Sequence, residues 1–394
     1  MKNTVLELAS TFPRWKDDTE PGFIFEFCKI ISSNFKVIVL APHYHGAKIH
    51  EEIDGIVIQR FKYFFSKMQK LAYNGGIANN LKKNKLLYVT IPFFMLFNLI
   101  ALIRILSKQN IGAIHAHWII PQGLTAIIGC WITRKNIPIL CTSHGGDLYC
   151  FDSPLFRKLK IAILNRCKSV SVVSSAMKND LVAWGIDEKK ISIISMGVDL
   201  VKEFCPDTSV QKKENTILFV GRLVPKKGVD ILIESIANAD NIILDIVGDG
   251  PERHKLEQLA KKLEIAHRVN FLGSRQYSEL PRIYQEYSIS VVPSITAPNG
   301  DKEGFGLVTV EAMGCGCTVI ASDYDAVTDI IQNHNTGIIV PQNNSGELGK
   351  AIKLLVDNAH LRDKISHNGR EFVLKRFDWR QIGNNYSKLL NNLN

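Results

Sequence analysis

The chain reads as two α/β domains in tandem, each a doubly wound parallel sheet. Three observations predict this. Short β-branched runs alternate with helix-length segments through all 394 residues. The runs are almost continuously apolar, as in strands covered on both faces. The alternation restarts after a polar stretch near residue 200, and at roughly 150 residues per domain the length accommodates two such units.

In the first half, strands are predicted over residues 4–10 (TVLELAS), 36–42, 55–61, 112–118, 138–144, 169–175 and 191–197. Between the third and fourth lies LLYVTIPFFMLFNLIALI (86–103), without a charge and flanked by Lys85 and Arg104. Its length is near the minimum for crossing hydrocarbon. Thr90, Pro92 and Asn98 interrupt it and a strand-like run follows, so a buried or membrane-surface helix is expected. The polar stretch VDLVKEFCPDTSVQKKENT (198–216), with Pro206 and a lysine pair, reads as a linker. The second half predicts strands over 216–222, 242–248, 269–273, 289–294, 317–322 and 336–341. Between them lie helical stretches such as PERHKLEQLAKKLEI, with Pro251 suited to a first turn. Such sheets bind ligands beyond the carboxyl ends of their strands. Two of them predict a site in a cleft between those edges.

The composition, 46% apolar and 22% charged, fits a soluble globular protein. Its net charge of +10 is unevenly placed. Residues 1–195 carry 25 Lys/Arg against 13 Asp/Glu, or +12, and the remainder 23 against 25, or −2. That asymmetry predicts an anionic partner for the first half. No aromatic-basic string or basic helix run supports nucleic acid. The eight cysteines form no recurring Cys-x-x-Cys pair, and no signal-peptide pattern is present. Cys28, Cys130, Cys141, Cys167 and Cys205 are expected as reduced core thiols in a cytosolic protein.

Several second-half strands end in glycine or basic residues. FVGRLVPKKG offers Gly221, Arg222, Lys226 and Lys227; LDIVGDGPE offers Gly248; SITAPNGDKEGFG leads into a helix. Glycine lets backbone approach a ligand, and a helix N-terminus presents unpaired N–H groups to an anion. Together these form a candidate diphosphate cradle, whereas each turn alone reads better as loop glycines and solvated lysines. With a helix starting near Phe305, Glu303 precedes it and Glu311 lies about two turns in, among Val308, Val310, Ala312 and Met313. A carboxylate there needs hydrogen-bond donors, such as ribose hydroxyls or a backbone N–H. In the first half, HAHWIIPQG puts His115 and His117 on one strand face, a metal-like spacing without an evident third ligand. The histidines of APHYH read the same way, and Cys315 and Cys317 read as a helix-to-strand turn. No metal site is expected.

Glu303-x7-Glu311 after a glycine-rich loop resembles the signature of family 4 glycosyltransferases, retaining enzymes of the GT-B fold. GRLVPKKG, VGDGPE, MGVDLVKEFCP and the closing RFDWRQIGNNYSKLL are also similar to that family, in the family's order. The resemblance implies an acceptor-side domain over 1–198, a nucleotide-sugar donor domain over 199–376, and a crossover helix over 377–394 that returns to the first domain. It implies that Glu303 contacts the donor sugar, Glu311 the ribose, and Arg222 and Lys227 the diphosphate. His144 of TSHGGDLY would meet the sugar through its backbone or ring, making Glu303, His144, Arg222 and Lys227 the catalytic set. Gly22, Gly248, Gly304, Phe305, Gly306, Leu307 and Val308 complete the expected donor contacts, and Asp147 and His117 the acceptor side. Gly22 stands alone where many relatives carry a glycine pair.

The implied activity is retaining hexosyl transfer from a nucleotide sugar to a glycan or lipid-linked acceptor, without cofactor or metal. A nucleotide-sugar epimerase of the same fold is the rival. FRKLKIAILNRCK (156–168) places Phe156, Leu159, Ile163 and Leu164 near one helical face, with Arg157, Lys158, Lys160 and Arg166 around it. With residues 86–106 and the basic first half, it predicts a peripheral protein on the inner face of an anionic cytoplasmic membrane.

Overall fold

A computed structural model describes residues 2–393 apart from 17, 19–21, 75, 151, 152, 238, 240 and 299. Its contacts divide the chain into unit 1, residues 1–195 with 382–394, and unit 2, residues 196–381.

Unit 1 is built on eight strands: β1 (Thr4–Leu8), β2 (Lys36–Pro42), β3 (His50–Ile53), β4 (Ile56–Phe61), β5 (Ala113–His117), β6 (Ile139–Ser143), β7 (Ser169–Val172) and β8 (Ile191–Ile193). Their order is β3-β4-β2-β1-β5-β6-β7-β8. All pairs are parallel except β3 with β4. The apolar runs in β1, β2, β5 and β6 are buried on both faces, which is why they lack alternation. β3 is absent from the sequence-based expectation for the converse reason. Its HEEI is a half-exposed antiparallel edge and carries no apolar run. Several predicted strands also overrun the real ones, by up to four residues for 191–197 against β8, because the last residues of those runs already leave the sheet.

Unit 2 has six parallel strands: β9 (Thr216–Val220), β10 (Ile243–Val247), β11 (Val269–Gly273), β12 (Ile289–Val292), β13 (Thr318–Ser322) and β14 (Ile338–Val340). Their order is β11-β10-β9-β12-β13-β14. One buried cluster from Ile217 through Ile289 and Ile320 to Leu355 joins the sheet to the helices covering it.

Three expectations are corrected. The stretch read as a linker is packed into unit 2. Leu200 and Phe204 are fully buried, and the Arg370 guanidinium donates to the carbonyls of Leu200, Phe204 and Gly314. The polar residues around them hid these two apolar anchors. The Pro154–Arg166 helix offers only part of the expected amphipathic surface. Ile163 and Leu164 are buried, and Lys160, only 2% exposed, donates to the carbonyls of Leu148 and Cys150 at 2.8 and 2.7 Å. Ile163 and Leu164 are used by unit 1 itself, while Leu155 and Phe156 near the helix start stay exposed. All eight cysteines are free, but Cys130 and Cys205 are only partly buried.

Candidate active site

In each unit the chemistry-bearing residues gather where the strand order reverses, the place at which doubly wound sheets open beyond their strand ends. In unit 2 this point lies between β9 and β12. The turn after β9 carries Lys227, the loop after β12 carries Glu303, and the two meet. Lys227 Nζ donates to Glu303 Oε2 at 2.5 Å, with both side chains about 15% exposed or less. Burial works to raise the Glu303 carboxyl, but Lys227, then Lys226 and the Gly304 amide, hold it below its ordinary value. Arg222 is exposed at the end of β9, and its guanidinium has no protein partner among the described residues. A diphosphate entering here would find one unpaired cation and one whose counter-charge it must displace.

Gly248, expected among the donor contacts, is also fixed by packing. It takes φ +143°, and a Cβ there would lie 1.9 Å from the Gly221 carbonyl oxygen. Two strand-end loops cross at this point, so the glycine is required by the protein itself.

The helix beyond Glu303 spans Leu307–Gly314 with Gly306 as its N-cap. It starts two residues later than expected, so Glu311 sits about one turn in. Gly306 has φ +92°, and a Cβ there would meet the Tyr324 hydroxyl at 2.5 Å. Phe305 is buried against Phe377 and anchors the turn. The first amides, on Leu307 and Val308, lack intrahelical acceptors. Glu311 is fully enclosed. Burial pushes its carboxyl up to about 7, against hydroxyl donors from Tyr284 and Tyr277 and the charge of Lys227. The Tyr284 hydroxyl donates to its Oε2 at 3.2 Å.

In unit 1 the reversal lies between β1 and β5, which places Glu7 opposite His115. Glu7 Oε2 accepts from His117 Nε2 at 2.9 Å and lies 2.8 Å from His115 Nδ1. Burial works against its charge, but the two histidines hold the carboxyl at about 2. His117 is pulled down to about 4 by burial and by His115. With its Nε2 proton given to Glu7, His117 presents Nδ1 as an acceptor, and His144 Nε2 lies 3.1 Å from it. This network assigns His144 a proton on Nε2 and a lone pair on Nδ1. That Nδ1 is buried and has no protein partner. Burial, then the neighbouring histidines, keep His144 neutral. His115 Nε2 continues the chain to Thr142 Oγ1 at 2.7 Å. Thr142 meets Ser171, and Ser171 lies 3.4 Å from the Tyr386 hydroxyl on the closing helix.

His117 and Asp147, expected on the acceptor side, both have partners within unit 1. Both nitrogens of His117 are occupied. Asp147 accepts from the Ile119 amide and the Ser143 hydroxyl at 2.8 Å each, and from the His144 amide at 3.2 Å. It fixes the loop that carries His144, beside Trp118 with its uncommon φ of +83°. Gly22 caps the Phe23–Ile31 helix, and a Cβ there would meet nothing within 4 Å. Packing does not explain this glycine. Glu7, missing from the sequence-based expectation, also supplies the third ligand that seemed absent. Ligand atoms of Glu7, His115 and His117 lie within 4.8 Å of one another and could hold a divalent ion.

Residues 26–202 match the family described as Glycosyltransferase Family 4, and residues 202–372 match Glycosyl transferases group 1. An uncharacterised glycosyltransferase of Methanocaldococcus jannaschii is 33% identical over 70% of this chain and 74% of its own. The chain belongs to the family 4 glycosyltransferases. This glycosyltransferase is also 27% identical, over 61% of its length and 66% of the relative's, to a Mycobacterium tuberculosis protein. That relative is named GDP-mannose-dependent alpha-(1-6)-phosphatidylinositol monomannoside mannosyltransferase. Anabaena HepE, solved in complex with UDP, matches it over the whole of both chains with a TM-score of 0.75 at 20% identity. The two doubly wound units of the glycosyltransferase are those of the GT-B fold. Its Glu7, Tyr277 and Tyr284 are the functional candidates that motif reading missed. The one signal for Glu7 was a lone carboxylate inside the apolar run TVLELAS.

Proposed function

We propose that this glycosyltransferase moves a hexosyl group, with retention of configuration, from a nucleoside diphosphate sugar to a lipid-linked or envelope-glycan acceptor at the inner face of the cytoplasmic membrane. The observation that carries the reading is the Lys227–Glu303 pair beside the start of the Leu307–Gly314 helix. The diphosphate takes Lys227 from Glu303, and Arg222 and the first helix amides add to its neutralisation. Positive charge already in place where negative charge develops on the leaving group lowers the barrier. Glu303, released from its lysine, accepts from sugar hydroxyls. Glu311 accepts from the ribose in place of its tyrosine donors. Neither carboxylate forms a covalent bond to the sugar; the departing phosphate takes the acceptor's proton on the same face. The lone pair of His144 Nδ1 accepts from a sugar hydroxyl.

The UDP bound by HepE and the donor and acceptor in the mycobacterial relative's name support this class of substrates. Thermal shift with UDP-, GDP- and ADP-sugars tests the donor, since a ligand of the native state raises its melting temperature. Donor incubated alone should yield no epimer, which the family assignment already disfavours. Transfer should survive EDTA, because side-chain cations neutralise the diphosphate. Loss of activity restored by magnesium or manganese would overturn that mechanism and point to the Glu7–His115–His117 set.

A further inference from the structure

We propose that the exposed side of the Thr90–Lys108 helix, with the turn before it, seats unit 1 on an anionic lipid surface. The helix has two unlike sides. Phe94, Asn98, Leu102 and Leu106 are buried, and Leu102 packs where Gly129 of the Leu124–Thr133 helix leaves room. The other side holds Val89, Phe93, Leu96 and Phe97, between 40% and 64% exposed, and the turn adds Leu86 at 79%. Positions 89, 93, 96 and 97 share one helical face. The Phe64 ring lies 5.5 Å from both Phe93 and Phe65, so the patch runs on to Phe65, itself 77% exposed. Apolar side chains scattered singly are ordinary; a continuous ridge of large ones marks an interaction surface.

Charge selects the occupant. Residues 55–146 contain eleven Lys/Arg and no Asp or Glu. Lys82, Lys83 and Lys85 are exposed just before Leu86, Lys67 two residues beyond Phe65, and Arg104 and Lys108 at the other end of the helix. None of these six forms an ion pair among the described residues. A second copy pressed face to face would set cations against cations. An anionic bilayer supplies hydrocarbon for the ridge and phosphate for its rim. Lys85–Lys108 is long and apolar enough to cross a membrane, but the buried stripe ties it to unit 1, so it lies in the interface plane. The expected membrane surface thus rests on this helix, since Pro154–Arg166 turns Ile163 and Leu164 inward.

The inference goes beyond the transferase reading, and its test needs neither donor nor acceptor. The full chain is floated with phosphatidylcholine vesicles, with and without about one-third phosphatidylglycerol. At low salt it should bind the anionic vesicles at least about tenfold better than the neutral ones and be released by about 0.5 M salt. The double variant Leu86→Glu/Leu96→Glu should lose at least about tenfold in binding with its thermal melt unchanged, since both side chains are exposed. Three outcomes overturn the proposal: no flotation at low salt, a double variant that floats like the parent, or a parent dimer that the double variant dissolves with no vesicle binding by either.

Discussion

Lys227 and Glu303 are each other's partner until a ligand intervenes, so removing the carboxylate separates two roles. In Glu303→Ala the diphosphate loses a competitor for Lys227, while the sugar loses its acceptor. Transfer should fall at least about 100-fold, and nucleoside diphosphate affinity should stay within about threefold. Calorimetry beside initial rates checks this; a parallel loss of nucleotide in a folded variant would show the contact is not to the sugar. In unit 1, Glu7 acts through His117 on His144. Glu7→Ala lets His117 adopt either tautomer and should cost about 10–100-fold in transfer without weakening nucleotide binding. Glu7→Gln, whose carbonyl oxygen still accepts from His117, should restore most of it. Nitrogen-15 imidazole shifts report the His144 tautomer directly, and a purely structural role for Glu7 would leave them unmoved. The histidine pair was legible in HAHW because alternate positions share a strand face. Its carboxylate was not, because Glu7 meets His115 only through the pairing of β1 with β5, across more than a hundred residues of chain.

At the scale of elements, two glycines expected to do the same work are held by different constraints. Gly248 stands against the Gly221 carbonyl, a backbone atom with no rotamer to move. Gly248→Ala should destabilise unit 2 by about 2 kcal/mol or more, seen as a lowered midpoint in a urea melt. Gly22 faces open space, so Gly22→Ala should cost under about 1 kcal/mol of stability yet impair transfer if a ligand approaches there. Equal stability losses in the two variants would remove the distinction. The strands of both sheets were legible because burial on both faces writes itself as unbroken apolar runs. β3 was not, since an edge strand needs no such run. Leu200 and Phe204 were obscured by polar neighbours, and the order of the strands is a property of long-range pairing that no local pattern carries. For the Leu307–Gly314 helix, the Gly306 cap displaced the start by two residues and left Glu311 about one turn into the helix.

The whole molecule combines two units that respond to acid with opposite signs. In unit 2, burial pushes Glu311 from an ordinary 4.5 up to about 7, so the folded state holds this proton more tightly than the unfolded chain. Its contribution is therefore greatest at low pH and is lost as pH rises through about 7. In unit 1, burial and then His115 bring His117 from an ordinary 6.5 down to about 4, and His144 moves the same way. There the unfolded chain takes the proton that the folded state refuses. Stability present above pH 6.5 drains away as pH falls towards 4. Between pH 8 and pH 5 the two residues Glu311 and His117 alone should raise unit 2 and lower unit 1 by about 2 kcal/mol each. Scanning calorimetry across that range should show two transitions moving in opposite directions, the nucleotide-responsive one upward on acidification. Glu311→Gln isolates the cause. A neutral amide cannot titrate, so the unit 2 transition should already sit high at pH 8 and stop responding to acid. Nucleoside diphosphate binding should weaken by about 1.5–3 kcal/mol for the lost charged hydrogen bond to the ribose. A unit 2 transition in this variant that still climbs on acidification would place the titrating group elsewhere, and an unchanged nucleotide affinity would remove Glu311 from the ribose site.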